Sequence, residues 1–572
     1  MIQKSQTKKN KIADIISIYL IFSFLLTCCF ASGKFAELWK EIDAQHYLSN
    51  HLFIITADFL HKLLFKILAL TLMMAGGMGM LRLILELLLR LFRIRLVDDT
   101  SEKMNRRFRK TAAVILLFLL VMNMSFFIII RGMKPRGPNI ILIGADTLRA
   151  DHLRCYGYAR DTSAAVDKLA REGVVFLEAW SHISSTTPSF ATIFTSKIPM
   201  SHGVLCNTSR GFRLEKQHTT IAELLKNKGY KTAAFTSGFS MKKSSQLAQG
   251  FDVFNDDFKV ERRAESVNCD VFKWLNRNRK EKFFLFIHYF DPHGQYRPPP
   301  PYNEVFPYTK KEYDINRIPP YQRHRPISDP SFYIAQYDGE IKYMDDHIDR
   351  LLKKLDKLGL SEDTVIIFTA DHGETLDDHK WWFEHGHYIY DEQIHIPLIV
   401  WYPKVFKHKE IDTTVTHLDI VPTILDILGI DFTADIEGRS LLDLIRGARR
   451  PEGFFYHESQ HGRAGIRDGD EFSGLRSKHF AVRWKGWKLI RIPKTTGIYF
   501  ELYNLREDPG ELNNLIGQHP EVEQKLKGKL LHFVGQYQNT KYYLERIGHP
   551  TEKQPDLSTE EMEALRSLGY LQ

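Results

Sequence analysis

Cysteine is scarce in this chain, and its few cysteines are not spaced for a small metal knuckle. Five cysteines occur in 572 residues, and no two of them stand in a CxxC arrangement. A number this low excludes a disulfide-bonded scaffold, and the missing spacing argues against a zinc knuckle. The stability of the protein must therefore come from a buried apolar core.

A basic surface is also missing from most of the chain. The net charge is +9, but residues 1–136 hold 20 Lys and Arg against 9 Asp and Glu, whereas residues 137–572 hold 58 against 60. A nucleic-acid-binding domain would carry its own basic excess. The distribution therefore predicts no nucleic-acid partner, and it places all of the positive excess beside the apolar N-terminal segments.

Long apolar runs concentrate in that N-terminal quarter. Residues 12–32 contain a single charged residue, residues 111–130 contain none, and a third apolar region covers residues 52–92. Each is long enough to cross a bilayer core of about 30 Å. We predict a membrane anchor in residues 1–133 with about three transmembrane helices. The middle region is either one long helix or two short spans, and a cleaved signal peptide is the alternative for residues 12–32.

The distribution of charge predicts the orientation of this anchor. Residues 93–110 carry seven Lys and Arg, whereas residues 31–51 carry only Lys34 and Lys40. The positive-inside rule then places the N-terminus and residues 93–110 in the cytoplasm. With three spans, everything after Arg131 lies on the extracytoplasmic side of an inner or plasma membrane, and the lipid bilayer is a partner of the chain.

The remaining residues show the pattern of an α/β domain. Short, continuous apolar runs typical of buried parallel strands alternate with amphipathic helical segments. The predicted strands are 139–146, 231–237, 283–290, 364–369 and 396–402, and the predicted helices are 162–172, 220–228, 343–358 and 419–428. A proline-rich stretch from 298 to 330 predicts a long surface excursion.

Acidic residues and histidines follow three of the predicted strands directly. Asp146 ends the first strand, Asp291 and His293 follow the third, and Asp371 and His372 follow the fourth. Ligand sites in open α/β sheets lie at the carboxyl ends of the strands. Carboxylates and imidazoles meeting at such an edge predict a metal site.

A candidate nucleophile precedes another predicted helix. Thr186 and Thr187 stand just before Pro188, which suits the first position of a helix, so Thr187 is the predicted N-cap. The exposed N–H groups of a helix start favour an anion there. The alternative is that both threonines serve only to cap the helix.

In order along the chain, these motifs resemble the sulfatase branch of the alkaline phosphatase superfamily. The residues that carry the resemblance are PNIILIGADTLRADHLRCYGY, TTPSFATIFTSKIP, FIHYFDPHGQYRPP, FTADHGE, EHGHYIYDEQIHIPLIV and LYNLREDPGELNNL. The resemblance implies an alkaline-phosphatase-like α/β/α sandwich with a mostly parallel central sheet. It implies a catalytic core over residues 138–450 and a smaller C-terminal subdomain over 451–572.

The resemblance also implies the roles of individual residues. Asp146, Asp371 and His372 match the family's metal ligands, and Thr186 matches its nucleophile. Typical sulfatases have Cys or Ser there, which is oxidised to formylglycine, and Thr is not expected to give that aldehyde. The signature Arg is replaced by Phe190. Phosphodiesterases and phosphoryl transferases of the superfamily, in contrast, use a metal-bound Thr directly.

The remaining candidates lie in loops that match the family's substrate side. His293 and His387 are predicted to be catalytic, and Asn207 and His385 to bind the substrate. Two carboxylates, one imidazole and the Thr186 hydroxyl suit Mn²⁺, Zn²⁺, Mg²⁺ or Ca²⁺. A second ion on Asp291, His293 or His387 is left open. The predicted function is metal-dependent hydrolysis or transfer of an anionic phosphate mono- or diester through Thr186, with a sulfate ester as the alternative substrate.

Two other functions remain open at this stage. One is sulfate ester hydrolysis without formylglycine. The other is a degenerate membrane protein that binds or supports structure without catalysis, although the three retained metal-type residues argue against it.

Overall fold

The computed structural model describes residues 137–208, 211–379, 382–431, 435–460 and 474–547. These all belong to the second of the two units into which the chain divides, residues 124–572. In this part of the chain no helix is both long and apolar enough to cross a membrane. The predicted spans 12–32, 52–92 and 111–130 lie outside the described residues.

An eight-stranded sheet forms the centre of the unit. Its strand order is β5-β4-β6-β1-β7-β8-β2-β9. All neighbours are parallel except β8, which is antiparallel to β7 and β2. The strands are β1 Asn139–Ala145, β2 Val174–Phe176, β4 Lys231–Phe235, β5 Val253–Asn255, β6 Phe283–Tyr289, β7 Thr364–Ala370, β8 Leu398–Trp401 and β9 Lys409–Ile411.

The helices cover both faces of this sheet. The α-helices of the described residues, numbered α1 to α11 in chain order, are Ala164–Glu172, Thr186–Thr195, Pro199–His202, Ile221–Asn227, Ala264–Asn278, Pro330–Lys357, Asp391–Ile394, Ile420–Ile427, Leu442–Ile445, Pro520–Gln538 and Lys541–Ile547. Neighbouring residues of β6 show the two layers. The His288 ring meets Phe190 of α2 at 5.0 Å, whereas the next residue, Tyr289, donates its hydroxyl to Asn268 of α5 at 2.6 Å. The predicted α/β architecture with a mostly parallel central sheet is confirmed.

Two predictions about individual elements need correction. The run 396–402 was predicted as a parallel strand, but β8 runs antiparallel, and an apolar pattern alone does not specify direction. Helix α6 begins 13 residues before the predicted start at 343. Asp329 caps it by accepting from the Ser331 N–H at 2.9 Å, and Pro330 takes its first position.

A second, antiparallel sheet follows the central one. Its strands are β11 Phe455–Glu458, β12 Phe480–Trp484, β13 Trp487–Lys494 and β14 Gly497–Asn504, in that order. Helix α10 covers one face, where Tyr456 stacks on Phe533 at 4.3 Å. From the other face, Lys488 reaches Asp391 of α7 at 2.8 Å. A short pair, β3 Ala179–Trp180 and β10 Val415–Thr416, completes the strands of the described residues.

The end of β1 leaves no space for a side chain at Gly144. A Cβ built there lies 2.6 Å from Cε1 of Phe190, which is fully buried in α2. Phe190 also packs edge-on against Phe286 at 5.3 Å. The aromatic side chain at the position of the missing Arg is therefore part of the core beneath the strand ends.

This close approach predicts opposite effects of two glycine substitutions. Gly144→Ala should lower the free energy of unfolding by about 1–3 kcal/mol, because the core would be overpacked against Phe190. Gly528→Ala in α10, where a Cβ meets nothing within 4 Å, should raise it by about 0.5–1 kcal/mol. Denaturant unfolding of both variants checks the pair, and equal effects would contradict this packing.

Candidate active site

The ends of β1 and β7 bring two carboxylates together. Ala145 pairs with Ala370 in the parallel register, so the next residues, Asp146 and Asp371, are neighbours. The Thr147 and His372 N–H groups donate to Oδ1 of Asp371 at 3.0 and 2.8 Å. These two bonds fix the carboxylate and leave Oδ2 of Asp371 with no hydrogen-bond partner.

The side chains of Asp146, Asp371 and His372 form the one group of metal-ligand type found among the described residues. Their ligand atoms all lie within 4.8 Å of one another, and all three residues are fully buried. Both carboxylate oxygens of Asp146 lack a hydrogen-bond partner. His372 donates Nδ1–H to the Gly373 carbonyl at 2.8 Å, so Nε2 carries the lone pair of the neutral ring. This donor set fits a divalent ion.

Burial shifts the pKa value of each of these groups in the direction that favours its neutral form: upwards for the two carboxyls and downwards for the imidazole. It raises the pKa of Asp146 to about 8. Burial and the adjacent Asp146 raise the pKa of Asp371 well above its ordinary value. Burial lowers the pKa of His372, which keeps the imidazole neutral, as a metal ligand must be. A cation would remove the cost of ionising the two carboxylates side by side.

Thr186 lies at the start of α2 and faces this group. Its Oγ1 is 3.5 Å from Nε2 of His372, and the residue is fully buried. The helix begins two residues earlier than the sequence predicted, because Ser185 and not Thr187 is the N-cap, and Pro188 takes the third position. Thr186 therefore stands in the first turn, where unpaired N–H groups favour negative charge.

Asn207 holds the start of this helix. Its Oδ1 accepts from the Thr187 N–H and from the Ser185 hydroxyl, each at 2.9 Å. These contacts fix the side chain of Ser185 and the backbone of Thr187, on either side of Thr186. Asn207 therefore lies beside Thr186 and bonds to the two residues that flank it.

Two of the predicted histidines meet in front of the metal-type group. The ring of His385 lies 4.6 Å from that of His372 and 5.0 Å from that of His293. His293 donates Nδ1–H to the Gly294 carbonyl at 2.7 Å, and burial lowers its pKa. His387 is half-buried two residues further along the same loop.

The carboxylate of Glu374, which the sequence analysis did not single out, is buried beside the ring of His385. Oε1 of Glu374 lies 3.1 Å from Nδ1 of His385, and its Oε2 accepts from the Tyr296 hydroxyl at 3.0 Å. Burial lowers the pKa of His385, but Glu374, Asp146 and Asp371 together outweigh burial and raise the pKa above its ordinary value. The sequence did contain a signal for a role of Glu374 in the site, because this residue belongs to the same DHGE motif as Asp371 and His372.

Asp291 has a different position from the one its motif suggested. Its Oδ1 accepts from the Ala264 N–H at 3.1 Å, at the start of α5. The metal-type group of the described residues does not include Asp291, His293 or His387. The open alternative of a second ion on those residues therefore gains no support from the described geometry.

The raised carboxyl pKa values predict how the metal-free protein responds to pH. Burial raises the pKa of Asp146 in the folded protein to about 8, against an ordinary value of 3.8. The folded state thus holds more protons at this site, so the contribution of the site to stability should fall as pH rises from 5 to 8. A saturating divalent ion should raise the melting temperature more at pH 8 than at pH 6, because it competes with protons for these ligands.

Thermal melts of the full chain with chelator or with Mn²⁺ check this expectation. Asp146→Asn is the matched control, since it removes the titrating group at constant size and should lose most of the metal-dependent increase. An increase that is larger at pH 6 than at pH 8 would contradict the assignment of these ligands.

Two families of known proteins match this chain, and together the matches cover most of the described residues. The family described as sulfatase matches residues 138–430, which is just over half of the chain. A second family, described as N-sulphoglucosamine sulphohydrolase, C-terminal, matches residues 377–536.

Curated relatives and solved structures agree with this match. The N-acetylglucosamine-6-O-sulfatase of Bacteroides thetaiotaomicron is 25% identical over 482 residues, covering 67% of this chain and 84% of that protein. A phosphonate monoester hydrolase from Silicibacter pomeroyi shares the fold at a TM-score of 0.58 and 20% identity, covering 74% of this chain and 100% of that chain. A protein solved with its substrate D-glucosamine-2-N,6-O-disulfate also has a TM-score of 0.58 at 20% identity, covering 71% of this chain and 99% of that one.

The family match spans the strands that carry Asp146, Asp371 and His372, as well as the helix that begins at Thr186. The chain belongs to the sulfatase family.

Proposed function

We propose that this protein is a membrane-anchored, metal-dependent ester hydrolase or transferase that uses Thr186 as its nucleophile on phosphate esters. The observation that carries the proposal is the position of the Thr186 hydroxyl. It is fully buried in the first turn of α2, 3.5 Å from Nε2 of His372. An enclosed hydroxyl at a helix start, beside unpartnered carboxylate oxygens, suits attack on an anionic group.

Asp146, Asp371 and His372 would hold the divalent ion, and Thr186 lies next to them. When bound, such an ion lowers the pKa of a neighbouring hydroxyl and polarises a phosphoryl oxygen. The donor set accepts Mn²⁺, Zn²⁺, Mg²⁺ or Ca²⁺.

The reaction has two balanced steps. First, Oγ1 of Thr186 gives its proton to His293 and forms a bond to phosphorus, while the bond from phosphorus to the leaving oxygen breaks and that oxygen takes a proton from His385. Second, water or an acceptor alcohol gives a proton to His385 and attacks phosphorus, the Thr186–phosphorus bond breaks, and His293 returns the proton that restores the hydroxyl of Thr186. Water gives hydrolysis and an alcohol gives transfer, so the acceptor alone separates the two activities.

Two histidines, His385 and His293, carry out the proton transfers. His385 is held by Glu374, which favours the protonated ring, so it supplies the proton of the leaving oxygen. The same His385, once deprotonated, accepts the proton of the incoming water or alcohol, and His293, whose ring is kept neutral by burial, takes the proton of Thr186 in the first step and returns it in the second. We assign His387, in the same loop, to contact with the anion, and Asn207 to the substrate side of Thr186.

The charges of the site favour a singly charged ester group. Phe190 occupies the position of the family's signature Arg and lies in the core, so it supplies no cation. Arg149, three residues after Asp146, pairs both sides of its guanidinium with Asp151 and Asp378. A phosphodiester carries one negative charge and a phosphate monoester carries two. We therefore expect diesters to be the better substrates.

Sulfate ester hydrolysis is the second candidate, and the comparisons favour it. The relatives that match this chain include a sulfatase acting on N-acetylglucosamine-6-O-sulfate, and one structural neighbour was solved with a glucosamine disulfate. A sulfate ester also carries a single charge, so the electrostatic argument does not separate it from a diester. The nucleophile does, because Thr186 is not expected to form formylglycine.

The anchor and its orientation are part of the same proposal. The apolar runs 12–32, 52–92 and 111–130 and the basic segment 93–110 support a membrane protein with its catalytic unit on the extracytoplasmic side. Substrates would then be reached outside the cytoplasm, within or above the bilayer surface.

Kinetics with three aryl esters test the proposal. The full chain in detergent, stripped of metal and resupplied with each divalent ion, should cleave a bis-aryl phosphate. It should cleave the aryl phosphate monoester at least about tenfold more slowly, because the second negative charge of a monoester has no Arg at position 190 to compensate it, and a loss of about 1.4 kcal/mol is enough for a tenfold change in rate. Thr186→Ala should lose about 10³-fold or more in kcat.

Thr186→Ser is the matched control, because it keeps a hydroxyl in place and should retain measurable turnover. Sulfate cleavage that disappears in Thr186→Ala would establish the second candidate in place of the first. Full activity in Thr186→Ala would contradict both. A protein that neither binds a divalent ion nor cleaves any ester would be a binding or structural member of the family.

A further inference from the structure

His288, which the sequence motifs did not single out, reaches the carboxylate of Asp146 from β6. Its Nε2 lies 3.3 Å from Oδ2 of Asp146, and both side chains are fully buried. Neither atom has a hydrogen-bond partner among the described residues. Two polar groups without a hydrogen bond therefore lie within contact distance of each other at the metal-type site.

The other ring nitrogen of His288 indicates which nitrogen carries the proton. The Ser237 N–H donates to Nδ1 at 3.4 Å, and a backbone N–H can only donate. The Ser237 hydroxyl, 3.2 Å from Nδ1, donates its own proton to the His288 carbonyl at 2.6 Å. With Nδ1 as the acceptor, the proton of the neutral ring lies on Nε2, the nitrogen that is 3.3 Å from Asp146.

Aromatic packing holds the ring in this orientation. Phe190 meets His288 edge-on, with ring centroids 5.0 Å apart and an interplanar angle of 89°. Phe286 lies on the same side of β6, with its ring 6.3 Å away and nearly parallel. Gly144 admits Phe190 at close range. Phe190 thus contributes through packing, since its ring fixes the imidazole that faces Asp146.

We propose that His288 is a positioning residue for Asp146. Its Nε2 lies 3.3 Å from Oδ2, so a small rotation of the carboxylate brings the two atoms into a hydrogen bond that limits further rotation. The inference rests on the metal site of the proposed function, and it adds an outer residue that orients one ligand. Partners of this kind commonly change metal affinity by 10–100-fold.

Metal affinity, measured apart from activity, tests the role. The full chain is titrated with Mn²⁺, and free and bound metal are separated by equilibrium dialysis. His288→Phe, which suits the surrounding aromatic cluster, should weaken binding by about 10–100-fold. His288→Gln, which returns an amide N–H near the position of Nε2, should recover most of the affinity.

His202→Phe is the matched control. His202 is a fully buried histidine bonded to Thr192 in α2, at 3.1 Å, and it belongs to no part of the metal-type group. Its replacement should leave Mn²⁺ affinity unchanged even if the melting temperature falls. The melting temperature of each metal-free variant separates a loss of metal binding from a loss of folding.

Two results would overturn the assignment of His288. An unchanged Mn²⁺ affinity in folded His288→Phe would reduce the residue to a core side chain. A drop in the number of ions bound at saturation would make it a ligand and not a positioning residue. If the unsubstituted protein binds no divalent ion at all, the proposed function itself fails, and that outcome is distinct from either result.

Discussion

The burial of two carboxylates side by side is the constraint on which the rest of this structure depends. Asp146 and Asp371 end neighbouring parallel strands and are fully buried, and together they retain three oxygen atoms without a hydrogen-bond partner. Ionised carboxylates in such surroundings are strongly unfavourable unless a cation compensates them. The position of His372, with its lone pair directed by the Gly373 carbonyl, completes an environment suited to a divalent ion.

Several elements hold this arrangement from outside. The Gly373 N–H donates to the Gln393 carbonyl of α7 at 2.9 Å, and Asp391 at the start of α7 pairs with Lys488 of the second sheet. The second sheet thereby supports the loop that follows the metal-type residues. On the opposite side, Asn207 fixes the backbone of α2 around Thr186. The site is therefore assembled by contacts that reach from β1 to β13.

The sequence allowed prediction of those parts of the site in which a local sequence pattern sets where a residue lies in the fold. Parallel strands end at one edge, so polar residues after neighbouring strands were expected to lie close together, and Asp146, Asp371 and His372 do so. Asp291, which follows β6, instead bonds to the start of α5. The helix after Thr186 was also predictable in kind. Its start was misplaced by two residues, because the choice between Ser185 and Thr187 as N-cap depends on the side chain of Asn207, which lies 20 residues away.

Contacts across the sheet could not be read from the sequence in the same way. His288 lies inside an apolar strand, and its closeness to Asp146 follows only from the pairing of β6 with β1. Glu374 was visible in its motif, but its partners, Tyr296 and His385, come from two other loops. The sequence showed that Phe190 replaces the signature Arg of the family. It could not show that Phe190 packs against Gly144 and His288, because that packing depends on the position of α2.

The central claim is that Thr186 forms a covalent bond to the transferred group. The most direct measurement is peptide mass spectrometry on the metal-loaded protein, quenched with acid within the first turnovers of a bis-aryl phosphate. The account predicts one aryl phosphoryl group on the peptide that contains Thr186, localised to that residue by fragmentation. A modified side chain elsewhere, or steady turnover with the Thr186 peptide unmodified at every time point, would contradict it.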